Sequence, residues 1–281
     1  MAQSYWTSHG QNDERYVGTF YPTVGLLAAL LALMSPIMVS ATAPLCATEQ
    51  PSSRLALKGK DGRFWWREAY EEQLDCIRRG GGKFDFVLIG DSITSNWRRD
   101  KGRSFFGGDR HLGKIVADEY FSRYRWLNAG IGGDGTSQVL WRCMNGILDG
   151  YETKLIALMV GTNNRHDSAE DVARGIKRIV DVIREKQPSA KLLLIPILPR
   201  FVREDDPGDM NAKNERTNAI IKGYCDGKTV VWFDWRSGLY KEGLLDKDLW
   251  YDREHPAEGG YRVWAKALLP YVNGKGPAAC P

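Results

Sequence analysis

The chain has 281 residues, 43% apolar and 26% charged, which suits one α/β domain with a sizeable buried core plus short extras. Its formal charge of +4 is spread over 39 basic and 35 acidic residues; the basic residues pair with acids along predicted helices, so no nucleic-acid footprint is present. Ten tryptophans are compatible with an aromatic-lined sugar surface, although core packing accounts for them more simply.

No charge lies between Arg15 and Glu49, and residues 24–39 form a nearly continuous apolar run followed by the small residues of Ser40-Ala41-Thr42-Ala43. The run is short for a membrane span, and such small residues follow it at a signal-peptidase site. Residues 1–47 are therefore expected to be a signal peptide. Asp13, Glu14 and Arg15 depart from the usual basic start, and the alternative is an uncleaved signal anchor spanning from near Tyr16. An exported protein, periplasmic or extracellular, follows from either. Cleavage would leave Cys76, Cys143, Cys225 and Cys280, an even number that permits disulfides in an oxidising compartment. With Cys46 they lack metal-ligand spacing and lie near no histidine, so no metal is expected.

Residues 48–62 read as a polar linker, 63–275 as the folded domain and 276–281 as a tail. An amphipathic helix over 64–79 stops at Gly80-Gly81-Gly82. The apolar run 84–89 reads as a buried strand ending at Gly90-Asp91-Ser92. A helical segment at 112–120 and a strand at 124–129 follow, then Gly130-Ile131-Gly132-Gly133-Asp134-Gly135 and a helix from 137 to about 148. The strand 155–160 ends at Gly161-Thr162-Asn163-Asn164. Ser168-Ala169-Glu170-Asp171 is a capping signature for a long helix that Pro188 closes. A strand at 191–197, a helix at 211–224, a strand at 229–233, a polar loop at 246–256 and a helix at 260–272 complete the chain. Five strand–helix alternations predict a five-stranded parallel sheet with helices on both faces, a three-layer α/β/α sandwich.

Ligands of such sheets bind just outside the carboxyl ends of the strands, where Ser92 stands. Asp-Ser in that position is by itself often only a helix N-cap, and Thr94 replaces the second glycine of a Gly-x-Ser-x-Gly elbow. Among the four histidines, His9, His111, His166 and His255, only His255 follows a carboxylate by three residues on one loop, in Asp252-Arg253-Glu254-His255. One turn there can set Asp252 against the ring and leave the other nitrogen for a serine proton. The loop Gly130 to Gly135 allows backbone N–H groups close approach to a ligand, and Asn163 offers an amide donor at the same sheet edge. The glycine loop also satisfies Gly-x-Gly-x-x-Gly, with Asp149 nearly twenty residues on. A dinucleotide site wants its acid at the next strand tip, which ends instead at Gly161.

Taken in order, Gly90-Asp91-Ser92-Ile93, Asn128-Ala129-Gly130-Ile131-Gly132-Gly133-Asp134, Gly161-Thr162-Asn163-Asn164 and Asp252-Arg253-Glu254-His255 resemble the four blocks of the SGNH (GDSL-type) hydrolases over about residues 83–272. With Val139-Leu140-Trp141-Arg142 after the glycine loop, the chain is similar to the platelet-activating-factor acetylhydrolase catalytic subunits and related bacterial esterases. The resemblance implies a flavodoxin-like fold and a carboxylic-ester hydrolase with Ser92 as nucleophile, His255 as base and Asp252 orienting it. It also implies an oxyanion held by Ser92, Gly133 and Asn163, and no cofactor. Around the histidine, His255-Pro256-Ala257-Glu258 departs from the apolar flanks of many relatives. Export and the tryptophans suggest short acyl groups on O-acetylated carbohydrate. Lysophospholipase or thioesterase activity is the neighbouring alternative, and a non-catalytic glycan- or nucleotide-binding module is the alternative of another class. Any membrane contact would run through the N-terminal segment alone.

Overall fold

The computed structural model describes residues 45–98, 113–202, 204 and 206–276. Nearly all of the predicted leader, His111, Cys280 and most of the tail lie outside these residues. Five parallel strands, β1 (Phe86–Gly90), β2 (Trp126–Gly130), β3 (Leu155–Met159), β4 (Lys191–Leu194) and β5 (Val230–Trp232), form one sheet in the order β2-β1-β3-β4-β5. The helices are α1 (Trp65–Arg79), α2 (Ser92–Ser95), α3 (Lys114–Phe121), α4 (Thr136–Arg142), α5 (Ala169–Lys186), α6 (Met210–Lys222) and α7 (Glu258–Val272).

The strands are apolar on both faces because both faces are covered. Successive side chains alternate across the pleat. Val87, Ile89, Leu127, Ile156, Leu158, Leu192 and Leu194 share a core with Trp66 of α1, Leu140 of α4, Ile176 of α5 and Ile221 of α6. On the other face Phe86, Leu88, Leu155, Ala157 and Leu193 pack with Val116 and Phe121 of α3 and Trp264 and Leu268 of α7. The predicted three-layer α/β/α sandwich with its five-stranded parallel sheet is the observed fold. The long helix α5 starts where its capping signature said: Ser168 Oγ accepts from Asp171 N at 3.1 Å. Glu170 and Asp171 lie in its first turn and Arg184 and Lys186 in its last, matching the helix dipole.

Three elements differ from the sequence reading. The run 84–89 is divided at Asp85, which exchanges hydrogen bonds with Arg125; ahead of it Lys83–Phe84 pairs with Glu152–Thr153 outside the main sheet. The helix expected to reach 148 stops at Arg142 and continues as a wider turn, Cys143–Ile147, in which Gly146 takes φ 108°. β4 ends at Leu194, short of Ile197: Ile195 N still reaches Leu158 O, but Pro196 has no N–H to extend the ladder, and the Asn218 side chain of α6 takes both the N–H and the carbonyl of Ile197.

Cys46, Cys76, Cys143 and Cys225 are free thiols. Trp66, Trp97, Trp235, Trp250 and Trp264 are buried, so core packing, and not a sugar-binding face, accounts for half the tryptophans. The stretch 51–62 lies against the domain: Ser52 N donates to Ser137 O at 3.1 Å and Arg67 Nε to Leu55 O at 3.0 Å. Among the described residues no helix is long and apolar enough to cross a membrane.

Candidate active site

The sheet order reverses direction at β1, with β2 on one side and β3 on the other. Such a switch point opens a crevice at the carboxyl ends of the strands. Gly90 closes β1 there. A Cβ on it would stand 2.3 Å from both Met159 O and Thr94 Oγ1, so only glycine lets the chain turn at once into α2. The Asp91 carboxylate caps that turn, its Oδ1 accepting from Ile93 N at 3.0 Å, and Tyr261 of α7 donates to Ile93 O at 2.7 Å. Ser92 is thereby fixed at the floor of the crevice. Burial pushes the Asp91 carboxyl up to about 7, against the opposing pull of the Ile93 N–H and of His255.

His255 reaches the same floor from the loop before α7. Tyr251 N donates to His255 O at 2.8 Å, closing that loop on itself. Asp252 Oδ1 accepts from the backbone N–H groups of Glu254 and His255 at 2.9 and 2.8 Å. Asp252 Oδ2 lies 2.8 Å from His255 Nδ1, and His255 Nε2 lies 2.8 Å from Ser92 Oγ. A carboxylate can only accept, so Nδ1 carries the proton and Nε2 is left to accept from the serine hydroxyl. Burial draws the Asp252 carboxyl upward, but hydrogen bonds from the His255 ring and the two N–H groups outweigh it and hold the group below its ordinary value.

The glycine loop forms the next wall. Gly130 N donates to Asn128 Oδ1 and Asn128 Nδ2 to Thr94 O, both at 2.9 Å, while Gln73 Nε2 donates to Gly130 O at 2.9 Å. These bonds lace the end of β2 to α1 and α2. Gly133 sits at φ +75°. Asn163, past β3, donates from Nδ2 to Asp134 O at 3.0 Å, which uses one of its two amide hydrogens. Ser92, Gly133, Asn163 and His255 line one open cleft of about 490 Å³; Asp252 stands behind His255. The remaining walls include Trp65, Glu72, Arg98 and Glu254. Of the other histidines, His166 does not line the cleft, and Asp149 is held by Lys186 Nζ at 3.0 Å on a turn. Among the described residues no three His, Cys, Asp or Glu side chains gather as a metal site.

Two clusters were not anticipated. Arg142, fully buried, donates from Nε to Asp134 Oδ2 at 2.9 Å, from Nη1 to Ala129 O at 2.7 Å and from Nη2 to Gly90 O at 3.0 Å. Trp66 Nε1 completes the Asp134 carboxylate at 2.7 Å. The signal was available: Arg142 follows Val139 by three residues, on the helix face that should be apolar. In the second cluster the buried Asp206 carboxylate meets Arg165, Arg200 and Arg253 at 2.6, 3.4 and 3.2 Å, and Arg200 pairs with Glu254 at 3.0 Å. It ties the loop bearing His255 to those after β3 and β4, and no spacing in the sequence links these residues.

Residues 88–263 match the model of the GDSL-like lipase/acylhydrolase family. The Homo sapiens platelet-activating factor acetylhydrolase IB subunit alpha2 is 38% identical over 206 residues, covering 73% of this chain and 81% of that protein. The Homo sapiens alpha1 subunit is 37% identical over 152 residues, 53% of this chain and only 64% of the subunit's own length. Among solved structures, a GDSL-like lipase from Bacteroides thetaiotaomicron superposes with a TM-score of 0.57 at 16% identity, over 73% of this chain and 97% of that one. A carbohydrate acetylesterase from Sinorhizobium meliloti does so with 0.52 at 17%, over 67% and 98%. These two likenesses concern the fold. With a family model spanning most of the domain and a relative matched over four-fifths of its length, the chain belongs to the GDSL-like lipase/acylhydrolase family.

Proposed function

We propose that the chain is a serine carboxylic-ester hydrolase that removes short acyl groups, acetyl above all, from O-acetylated carbohydrate. The observation that carries the reading is the line Asp252–His255–Ser92, with 2.8 Å at each link. As the Ser92 oxygen attacks the acyl carbon, His255 Nε2 takes its proton and the imidazolium is stabilised by Asp252. Negative charge developing on the carbonyl oxygen is met by the N–H groups of Ser92 and Gly133 and the second amide hydrogen of Asn163. Collapse returns the Nε2 proton to the leaving alcohol and leaves Ser92 acylated. Water, deprotonated by the same nitrogen, then releases the acid and restores the serine.

The similar human subunits are named acetylhydrolases, which supports acetyl. Glu72, Arg98 and Glu254 at the rim favour a polar alcohol over a lipid chain. The uncharged apolar segment within 1–47 supports an exported enzyme, cleaved or anchored by that segment. The test is acetate release from acetylated xylan oligomers, acetylated sialic acid, an acetylated ether phospholipid and an acyl thioester. The carbohydrate reading requires the oligosaccharides to give the highest kcat/KM; preference for the phospholipid would move the assignment to acetylated lipids, the substrate in the relatives' name.

A further inference from the structure

The glycine loop has little rigidity of its own, since Gly130, Gly132, Gly133 and Gly135 impose almost no conformation. Its shape is set from outside. Asn163 holds the carbonyl of Asp134, and Trp66 with Arg142 holds the Asp134 carboxylate. The carbonyl of Gly133 is held by a residue from the stretch that reads as a linker: Arg54 Nη1 donates to Gly133 O at 2.8 Å and lies 3.8 Å from Asp134 Oδ1.

Arg54 is itself anchored on both sides. Before it, Ser52 N bonds Ser137 O at the start of α4. After it, Leu55 O accepts from Arg67 of α1. Further back, Thr48 Oγ1 donates to Asp171 O at 2.6 Å, and Arg174 pairs with Glu49 at 3.3 Å. Residues 48–55 are thus a strap laid from α5 across α4 to the rim of the cleft, and its one arginine ends on the glycine at φ +75°.

We propose that Arg54 is a positioning residue for the esterase chemistry, clamping the Gly133 carbonyl so that the Gly133 N–H stays aimed at the acyl oxygen. The proposal rests on the hydrolase reading. It gives the strap a catalytic purpose: the segment joining the leader to the domain completes the oxyanion site. A guanidinium–carbonyl bond on a side chain 30% exposed adds little to stability, because water competes for both partners. Misaim of an oxyanion donor, by contrast, is felt directly in the transition state.

The test uses the full chain with p-nitrophenyl acetate and compares wild type, Arg54→Ala and Arg54→Lys. Arg54→Ala should lose about ten- to a hundredfold in kcat with KM within about threefold and the melting temperature within about 3 °C of wild type. Arg54→Lys, which keeps one donor on a similar stem, should recover at least half of the loss on a logarithmic scale. A kcat loss below about fivefold, a loss carried by KM, or no recovery with lysine would overturn the clamp. Ser92→Ala run in parallel keeps the two readings apart: retained turnover there defeats the esterase assignment, whereas the arginine series speaks to Arg54.

Discussion

Replacing Arg142 with Met tests whether the buried ion pair organises the site. The guanidinium is wholly buried and donates to Asp134, Ala129 and Gly90, with a weaker contact to Gln73 at 3.3 Å. Methionine fills much of the volume but supplies no donor. Removing one partner of a buried pair costs roughly 3–5 kcal/mol, because the other charge is left without its counter-ion. Burial already pushes the Asp134 carboxyl above its ordinary range with Arg142 beside it, and the more distant Arg54, 3.8 Å away, is a poor replacement. Gly90 O also accepts from Ile131 N, so its loss adds little, and Ala129 O accounts for about a further 1 kcal/mol. For a domain of this size, the combined loss of roughly 4–6 kcal/mol lowers the melting temperature by about 8–24 °C. Denaturant titration of wild type, Arg142→Met and the double variant Arg142→Met/Asp134→Leu gives the check. The double variant should be more stable than the single one, since it leaves no unpaired buried charge. A single-variant loss under about 1 kcal/mol, or a double variant less stable than Arg142→Met, would refute the reasoning.

Gly132→Ala should keep wild-type stability to within about 1 kcal/mol, because the added methyl would meet only the Ser92 Cβ, at an ordinary contact distance of 3.8 Å. Gly130→Ala, whose Cβ would meet Ser95 N at 2.3 Å, should fail to fold stably; equal behaviour of the two variants in thermal melts would contradict this geometry. Asp91, raised to about 7 by burial, stays protonated in the fold after its unfolded counterpart ionises near 4. Its contribution therefore falls as pH rises from about 4 to 7, by roughly 1.4 kcal/mol per unit. Asp91→Asn keeps the cap acceptor without the charge, so its stability relative to wild type should grow across that window; a constant difference in denaturant midpoints from pH 4 to 8 would count against it.

The tips of β1, β2 and β3 were legible because each of these mainly apolar strands runs into a glycine turn (Gly90-Asp91-Ser92, Gly130 onward, Gly161-Thr162-Asn163), and a parallel sheet brings such tips to one edge. That reasoning placed Ser92, the glycine loop 130–135 and Asn163 at one edge, the family resemblance singled out Gly133 within the loop, and the three-residue spacing placed Asp252 on His255. What escaped were contacts that no local pattern encodes. Asp206 gathers arginines from three loops, and Arg54 reaches the glycine loop from a stretch that looked like a linker because its sequence is polar. The end of β4 also came early, at a proline that offers no N–H, with Asn218 taking up the backbone of Ile197 beyond it.

The account as a whole depends on the hydroxyl of residue 92 being a nucleophile. Treating the protein with a fluorophosphonate probe and mapping the adduct by peptide mass spectrometry tests this directly. The account predicts one adduct, on Ser92, formed in wild type, strongly slowed in His255→Ala and absent in Ser92→Ala. An unlabelled wild-type protein that nonetheless hydrolyses p-nitrophenyl acetate, or an adduct on another residue, would contradict it.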